Sequence, residues 1–437
     1  MGNYFNKMSN KVRDESFSID LPGSNLVLTR YLYIKDEVKL ALLISILNKS
    51  DDAIFWAYEL YYSGFKIELY DYIWKIYYDF FATLNPCFEL YLNKTLKHQT
   101  DFLENPKLVS TIVQNLLIRP FNTDIFLLRT ICNMFEIECN NINPKSDITK
   151  LAKITSNFYE QLTNWINNKD FKSIAQYILN CISFVSEKEN SDTILYTIYS
   201  HIIDIFTNTN IYNVKLSKNK LLKEFIIARD RLNNTAPAHL PNTQYQKRVI
   251  LLSKILTLVS LKEKLVKGKN FYIIIEPEEI IPYDTKEAHS MGIKHYRVLD
   301  IVRSCGIDDL KHMALFKLER DTLGPDEEHV KIKDIYFNKW LYHASFSPIW
   351  FNRIKQYRGY VDYKTRSVEF VDEDVLQMFY NKYGYEPDEQ SQNTHDKCLK
   401  IHKTMNWTTF HDNYKTNSLF MLDADELEEI NNDKIRY

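Results

Sequence analysis

The sequence predicts a mainly α-helical protein: a stack of helical hairpins of HEAT-like pattern in the N-terminal half, followed by a smaller mixed α+β C-terminal region. Three observations carry this. From Asp36 to Lys267, apolar and aromatic residues recur at three- and four-residue steps, the period of helices that bury one face. Glycine (9) and proline (12) are scarce among 437 residues, whereas an all-β chain needs many turn formers. After Gly268 the pattern breaks into short β-branched and aromatic runs bounded by proline and glycine, the mark of strands and hairpins.

The stretch Asp51 to Leu92 reads as the organising core. Ile54, Tyr58, Tyr61 and Tyr62 form one helical stripe, and Ile67, Tyr70, Ile73, Trp74, Tyr77, Phe80 and Phe81 form a second. Gly64, between them, suits the left-handed turn after a helix C-terminus. Pro86 fits the first turn of a third helix. Links this short predict antiparallel hairpins. Trp56 lies off the first stripe and Trp74 widens the second, so these helices are apolar over more than one face and contacted from several sides. Trp56, Tyr58, Trp74, Tyr77 and Phe81 are therefore expected in the core.

The organisation expected along the chain is an extended arm over 1–35, a helical repeat-like domain over 36–240, a connecting helix within 241–268 and a mixed α+β region over 269–437. The arm ends in the apolar LVLTRYLYI. DEVKLALLISILNKS then opens with acidic residues and closes with a lysine, the order a helix dipole favours. Further helices are expected near Lys107–Ile118, Thr123–Glu136, Ser146–Asn167, Phe171–Ser186, Ser191–Asn208 and Ser217–Asn233. The linker NNTAPAHLPNT precedes a long helix, Gln244 to Lys267. In the last region Phe271–Ile275 reads as a buried strand, and a β-hairpin near 360–371 sets Val361 and Tyr363 against Val368 and Phe370 across Lys364-Thr365. Helices are expected near Ala288–Ser304, Asp309–Leu318, Val330–Tyr342 and Pro348–Tyr357.

Composition narrows the function classes. With Lys+Arg 55 against Asp+Glu 57 the formal charge is -2, so no global attraction to nucleic acid follows and any such surface is local. The six cysteines are scattered through helical stretches in a large chain, which points to reduced, buried thiols. The polar first twenty residues lack the apolar centre of a signal peptide, and no run approaches ~20 uninterrupted apolar residues. A soluble intracellular protein without a membrane segment is the expectation.

Phosphate-loop, dinucleotide, nucleophile-elbow, HExxH and kinase patterns are missing from the sequence, so the expectation is a non-enzymatic protein without cofactor or metal. His395, Cys398 and His402 share a helical face, with His411 beyond, but paired CxxC knuckles of a structural zinc site are missing. Glu276, Glu278, Glu279 and Asp284 read as a solvated turn, and Asp372, Glu373 and Asp374 as a helix N-terminus complementing its dipole. Trp350, Arg353, Lys355, Arg358, Tyr360, Lys364 and Arg366 interleave aromatic and basic side chains, with Tyr357 and Tyr363 among them. That mixture can stack bases while meeting phosphates, and it marks the expected nucleic-acid-binding segment.

In YQKRVIL, Tyr245 shares a helical side with Val249, extended by Ile250 and Leu251, which reads as a docking ridge for a partner's groove. The pattern resembles the Tyr-x-x-x-x-Leu-hydrophobic segment by which the initiation factor 4G scaffold grips the cap-binding protein, with Ile250 where leucine is usual. FWAYELYYSGF at 55–65, HASFSPIWFNRIKQYRG at 343–359 and NKYGYEPDEQ at 381–390 resemble helical proteins of mimivirus-type giant DNA viruses. Together these resemblances imply a viral counterpart of that scaffold. Its partners would be a cap-binding protein, an RNA helicase and messenger RNA, and its location the host cytoplasm at the viral factory. The alternative expectation is a component of virion assembly or of a replication–transcription complex.

Overall fold

Residues 27–33, 35–96, 99–134, 156–180, 191–208, 217–235, 241–265, 271–284, 339–383 and 407–432 are described by the structure, a computed structural model. The helices expected near Ala288–Ser304 and Asp309–Leu318, and His395, Cys398 and His402, lie outside these residues.

Three hairpin-linked helices begin the ordered core. α1 (Lys35–Leu47) packs on α2 (Asp52–Tyr62), and α3 (Lys66–Ile76) packs on α2 in turn. α4 (Pro86–Thr95) starts at its proline, as the sequence predicts. Trp56, Tyr58, Trp74, Tyr77 and Phe81 are all buried. Gly64 has φ +96°, and it is also pressed against another part of the chain: a Cβ there would sit 2.6 Å from the Pro348 side chain. The stripe period does not reveal that α3 continues as a π-helical turn, Tyr77–Phe81. Such turns insert one extra residue and re-aim the side chains around them. Here the turn holds Asp79, whose carboxylate meets the Arg129 guanidinium at 2.7 Å with both side chains buried.

The helices α5 (Gln99–Glu104), α6 (Lys107–Leu117), α7 (Asp124–Met134), α8 (Ser156–Asn168), α9 (Phe171–Leu179), α10 (Ser191–Asn208) and α11 (Lys218–Thr235) follow, and then comes α12 (Pro241–Lys262). The sequence reads α12 as a connector, yet every residue from Lys247 to Ser260 is buried. It packs against α7, α9, α10, α11 and the π-helical turn. A helix covered on all sides needs no polar face, so its pattern carries no sign of which way it points.

Among the described residues, four helices end with a basic residue where glycine is usual. Lys49, Lys169, Lys264 and Arg358 have φ between +56° and +58°. In each case the next residue's N–H closes back on the helix, as in Ser50 N to Ser45 O at 2.8 Å and Gly359 N to Ile354 O at 2.9 Å. The left-handed conformation costs a side-chain-bearing residue about 1 kcal/mol, and a cation beside the last carbonyls offsets part of it.

The short helix α13 (Ile281–Asp284) lies on α2, and the end of the arm is bolted between α2 and the C-terminal elements α14 (Trp340–Ala344) and α15 (Pro348–Gln356). Arg30 pairs with Glu59 at 3.3 Å, Tyr31 N donates to the same carboxylate at 2.8 Å, and Trp350 Nε1 donates to Thr29 O at 3.0 Å. Phe271–Ile275 is not the buried strand that its apolar run predicts. It has no regular secondary structure, with Phe271 and Ile274 exposed, and the Asn115 side-chain amide does the work of a neighbouring strand. That amide donates to Ile273 O at 2.7 Å and accepts from Ile273 N at 3.1 Å. The hairpin of β1 (Tyr360–Asp362) and β2 (Ser367–Glu369) pairs Val361 with Val368, as expected. α16 (Glu373–Tyr383), α17 (Trp407–Tyr414) and α18 (Ala424–Asn432) complete the described elements. The chain is thus mainly helical with a small two-stranded sheet in its C-terminal region.

Asp124, at the start of α7, fastens the segment between α17 and α18. Its buried carboxylate accepts from Leu419 N at 3.0 Å and Phe420 N at 3.1 Å, and burial pushes its pKa up to about 7. A carboxyl raised on folding binds a proton that the unfolded chain has released, so stability is highest below the unfolded value and falls until the folded value is passed. Unfolding free energies from urea titration should therefore decline between pH 4 and 7 by an amount on the order of a few kcal/mol, and Asp124→Asn should flatten that slope; identical slopes would remove the assignment. Gly64→Ala should cost about 2–4 kcal/mol from strain and overlap with Pro348. An unchanged urea midpoint would mean that the close approach carries no weight.

Candidate functional site

Ser347 caps α15 by accepting from Trp350 N, and Pro348 fills its first turn. The helix buries Trp350 and Ile354, and the Trp350 ring meets Trp340 edge-on at 5.5 Å. Trp350 is therefore a core residue and cannot stack on a base, which corrects the expectation drawn from its neighbours in sequence. Its indole N–H already serves the arm, and its volume fills the junction between the arm and α15. Arg353 is half-buried with its guanidinium over the Trp350 ring at 4.6 Å and the Tyr383 ring at 4.7 Å. That sandwich anchors α16 to α15.

The remaining residues of the set lie in solvent along the end of α15 and the hairpin. Lys355 and Arg358 at the end of α15, Tyr360 on β1, and Lys364 and Arg366 in the turn are all exposed. Tyr360 is 55% exposed and Tyr363 41%. The hairpin's other face is fixed: Val368 and Phe370 pack on the core, with Phe370 5.0 Å from Phe379. Two carboxylates lie within the hairpin and both are engaged locally. Asp362 accepts from Lys364 N at 2.8 Å and from Thr365 N at 3.3 Å, and these bonds, the first foremost, hold its pKa below the ordinary value. Glu369 accepts from the Tyr360 hydroxyl, which raises the phenol pKa. Asp372 caps α16 through Val375 N at 2.8 Å, with Glu373 and Asp374 in its first turn, as the sequence predicts.

Tyr245, Ile250 and Leu251 do not form a docking ridge. Ile250 is 1% exposed and Leu251 0%, and both belong to the core that α12 shares with its neighbours. Tyr245 is partly buried and packed on the same core, where its side chain bonds to Arg129. The pattern that resembles a groove-binding segment arises because a buried helix uses the same aliphatic and aromatic residues.

The residues that sequence reading missed are the buried charges of α12. Lys247 meets Asp192 of α10 at 2.9 and 3.1 Å. Lys254 pairs with Glu89 of α4, which also accepts from the Tyr78 hydroxyl at 2.7 Å. The available signal is Lys247 and Lys254 seven residues apart, two turns along one face, in a run that is apolar apart from Arg248 and Ser253. Among the described residues there is no His, Cys, Asp and Glu cluster able to hold a metal. No helix among them is long and apolar enough to cross a membrane. No known protein family, characterised protein or solved structure matches the chain.

Leu251→Ala should lose about 2–5 kcal/mol, the range for a large-to-small change in a core. A melting temperature within experimental error of the wild type would restore the exposed-ridge interpretation.

Proposed function

We propose that the protein is a helical scaffold that holds single-stranded RNA against the edge formed by α15 and the hairpin. The observation that supports this is the exposed set Lys355, Arg358, Tyr360, Tyr363, Lys364 and Arg366 on a hairpin whose inner face is packed. Bases of any sequence stack on tyrosine rings, and lysine and arginine neutralise the phosphates that follow. A surface already rigid before binding loses little entropy when it is occupied. The engagement of Asp362 and Glu369 within the hairpin favours the cations as the outward charge.

The more specific form of this reading is a viral translation-initiation adaptor acting in the host cytoplasm, which joins messenger RNA to a cap-binding protein and an RNA helicase. Its support is the resemblance of the segments at 55–65, 343–359 and 381–390 together with the helical architecture. Burial of Ile250 and Leu251 leaves that adaptor to recruit a cap-binding protein through another surface. Affinity purification from infected cells discriminates it from a virion or replication–transcription component: initiation factors among the partners support the adaptor, and capsid or polymerase subunits alone overturn it.

RNA binding itself is read by fluorescence anisotropy with a labelled oligouridine. Tyr360→Ala with Tyr363→Ala should weaken binding by roughly tenfold or more, since a base–aromatic stack contributes about 1–3 kcal/mol. Lys364→Glu with Arg366→Glu should weaken it and reduce the salt slope by about 0.7 per lost phosphate contact. Wild-type protein that does not bind at low salt, or binds unchanged in both variants, would rule the hairpin out.

A further inference from the structure

α12 buries three cations, and the structure treats them differently. Lys247 is 0% exposed and meets Asp192; Lys254 is 7% exposed and meets Glu89. Arg248, at 8% exposure, has no such partner. Its Nε and Nη1 are shielded from solvent and make no hydrogen bond, and no carboxylate pairs with it among the described residues. Its one charge-related neighbour is the face of Tyr245, 5.7 Å from the guanidinium carbon. Burial, opposed only by Tyr245, lowers its pKa.

The surroundings add positive charge. Arg129, on α7, bonds to the Tyr245 side chain, so two guanidinium groups converge on one tyrosine. Arg129 Nη2 is paired with Asp79 at 2.7 Å, but its buried Nε has no acceptor. Lys75 on α3 has its pKa lowered by burial first and then by Arg129 and Lys39. Around Tyr245, then, Asp79 is matched by Arg129, while Arg248 has no carboxylate partner among the described residues. An uncompensated buried guanidinium is strongly unfavourable, and its planar fork of donors suits an oxyanion that accepts two bonds at once.

We propose that Arg248, with the Nε of Arg129 across Tyr245, forms a buried binding site for a small oxyanion of the phosphate class. The degree of burial selects a small anion: a nucleic-acid backbone or a protein surface cannot reach a guanidinium that is 8% exposed. This site is separate in residues from the hairpin edge, so it stands or falls independently of RNA binding. Its role is to complete the charge balance of α12, which makes the stability of the scaffold depend on the anion.

The test compares melting temperatures in inorganic phosphate and in sodium chloride at equal ionic strength and pH, beside equilibrium dialysis with radiolabelled phosphate. A ligand that binds only the folded state raises the melting temperature as its concentration passes the dissociation constant. Wild-type protein should bind one phosphate per chain and melt several degrees higher in phosphate. Arg248→Met keeps the apolar stem and removes the charge; it should lose both the rise and the bound phosphate, and melt in chloride at or above the wild-type temperature. Arg248→Lys keeps the charge without the fork and should bind more weakly than the wild type. Dialysis of the wild type decides the matter if Arg248→Met does not fold. Absence of bound phosphate in the wild type, or an equal rise in the methionine variant, overturns the proposal.

Discussion

A cation on a helix covered on every side is strongly unfavourable unless its partner is buried with it. α12 carries Lys247, Arg248 and Lys254 into the centre of the molecule, and this constraint shapes the elements around it. The first turn of α10 must present Asp192 and α4 must present Glu89, because a lysine buried without a carboxylate loses its proton or destabilises the fold. The π-helical turn brings Asp79 to Arg129 on the neighbouring α7 in the same way. These pairs do not drive folding; the apolar burial around them does. They restrict which packings of the helices are tolerable, since sliding α12 by one turn would separate both lysines from their carboxylates.

The second organising feature is the junction of the arm, the α2–α3 turn and α15. Gly64 allows Pro348 to approach, Ser63 O accepts from Ile349 N at 3.3 Å, and Trp350 reaches back to Thr29. Residues separated by about three hundred positions are thereby locked in one place. The hairpin gains its rigidity from this junction, because β2 packs on α14 and Phe370 lies against Phe379 of an α15–α16 pair that is itself fixed by Trp350 and Arg353. A candidate RNA surface on a two-stranded sheet would be poorly ordered by itself; here the core supplies what the sheet lacks.

Where the sequence misled, the cause was a side chain replacing backbone or a core replacing a surface. Phe271–Ile275 has the composition of a strand, but the two bonds that would define a strand partner come from the Asn115 amide, which no local pattern announces. The Tyr245 segment has the spacing of a docking helix, and burial on all sides accounts for the same residues. Trp350 falls among basic residues in the chain, yet a helix turns successive side chains by about 100°, and Trp350 lands on the inner face while Lys355 lands on the outer.

Periodicity and the scarcity of turn formers determined that this chain is helical. Single residues with strong local preferences determined where elements break: Gly64 takes the left-handed turn, Pro86 starts α4, and Asp372 caps α16. The Val361–Val368 pairing was legible too, because a short hairpin is closed by its own turn. Only the tertiary structure decided that α12 is the axis, that Asp124 clasps Leu419 and Phe420, and that Arg248 has no carboxylate partner among the described residues. Those outcomes depend on which distant residues share the interior, and a period of three or four reports the presence of a buried face without naming what lies against it.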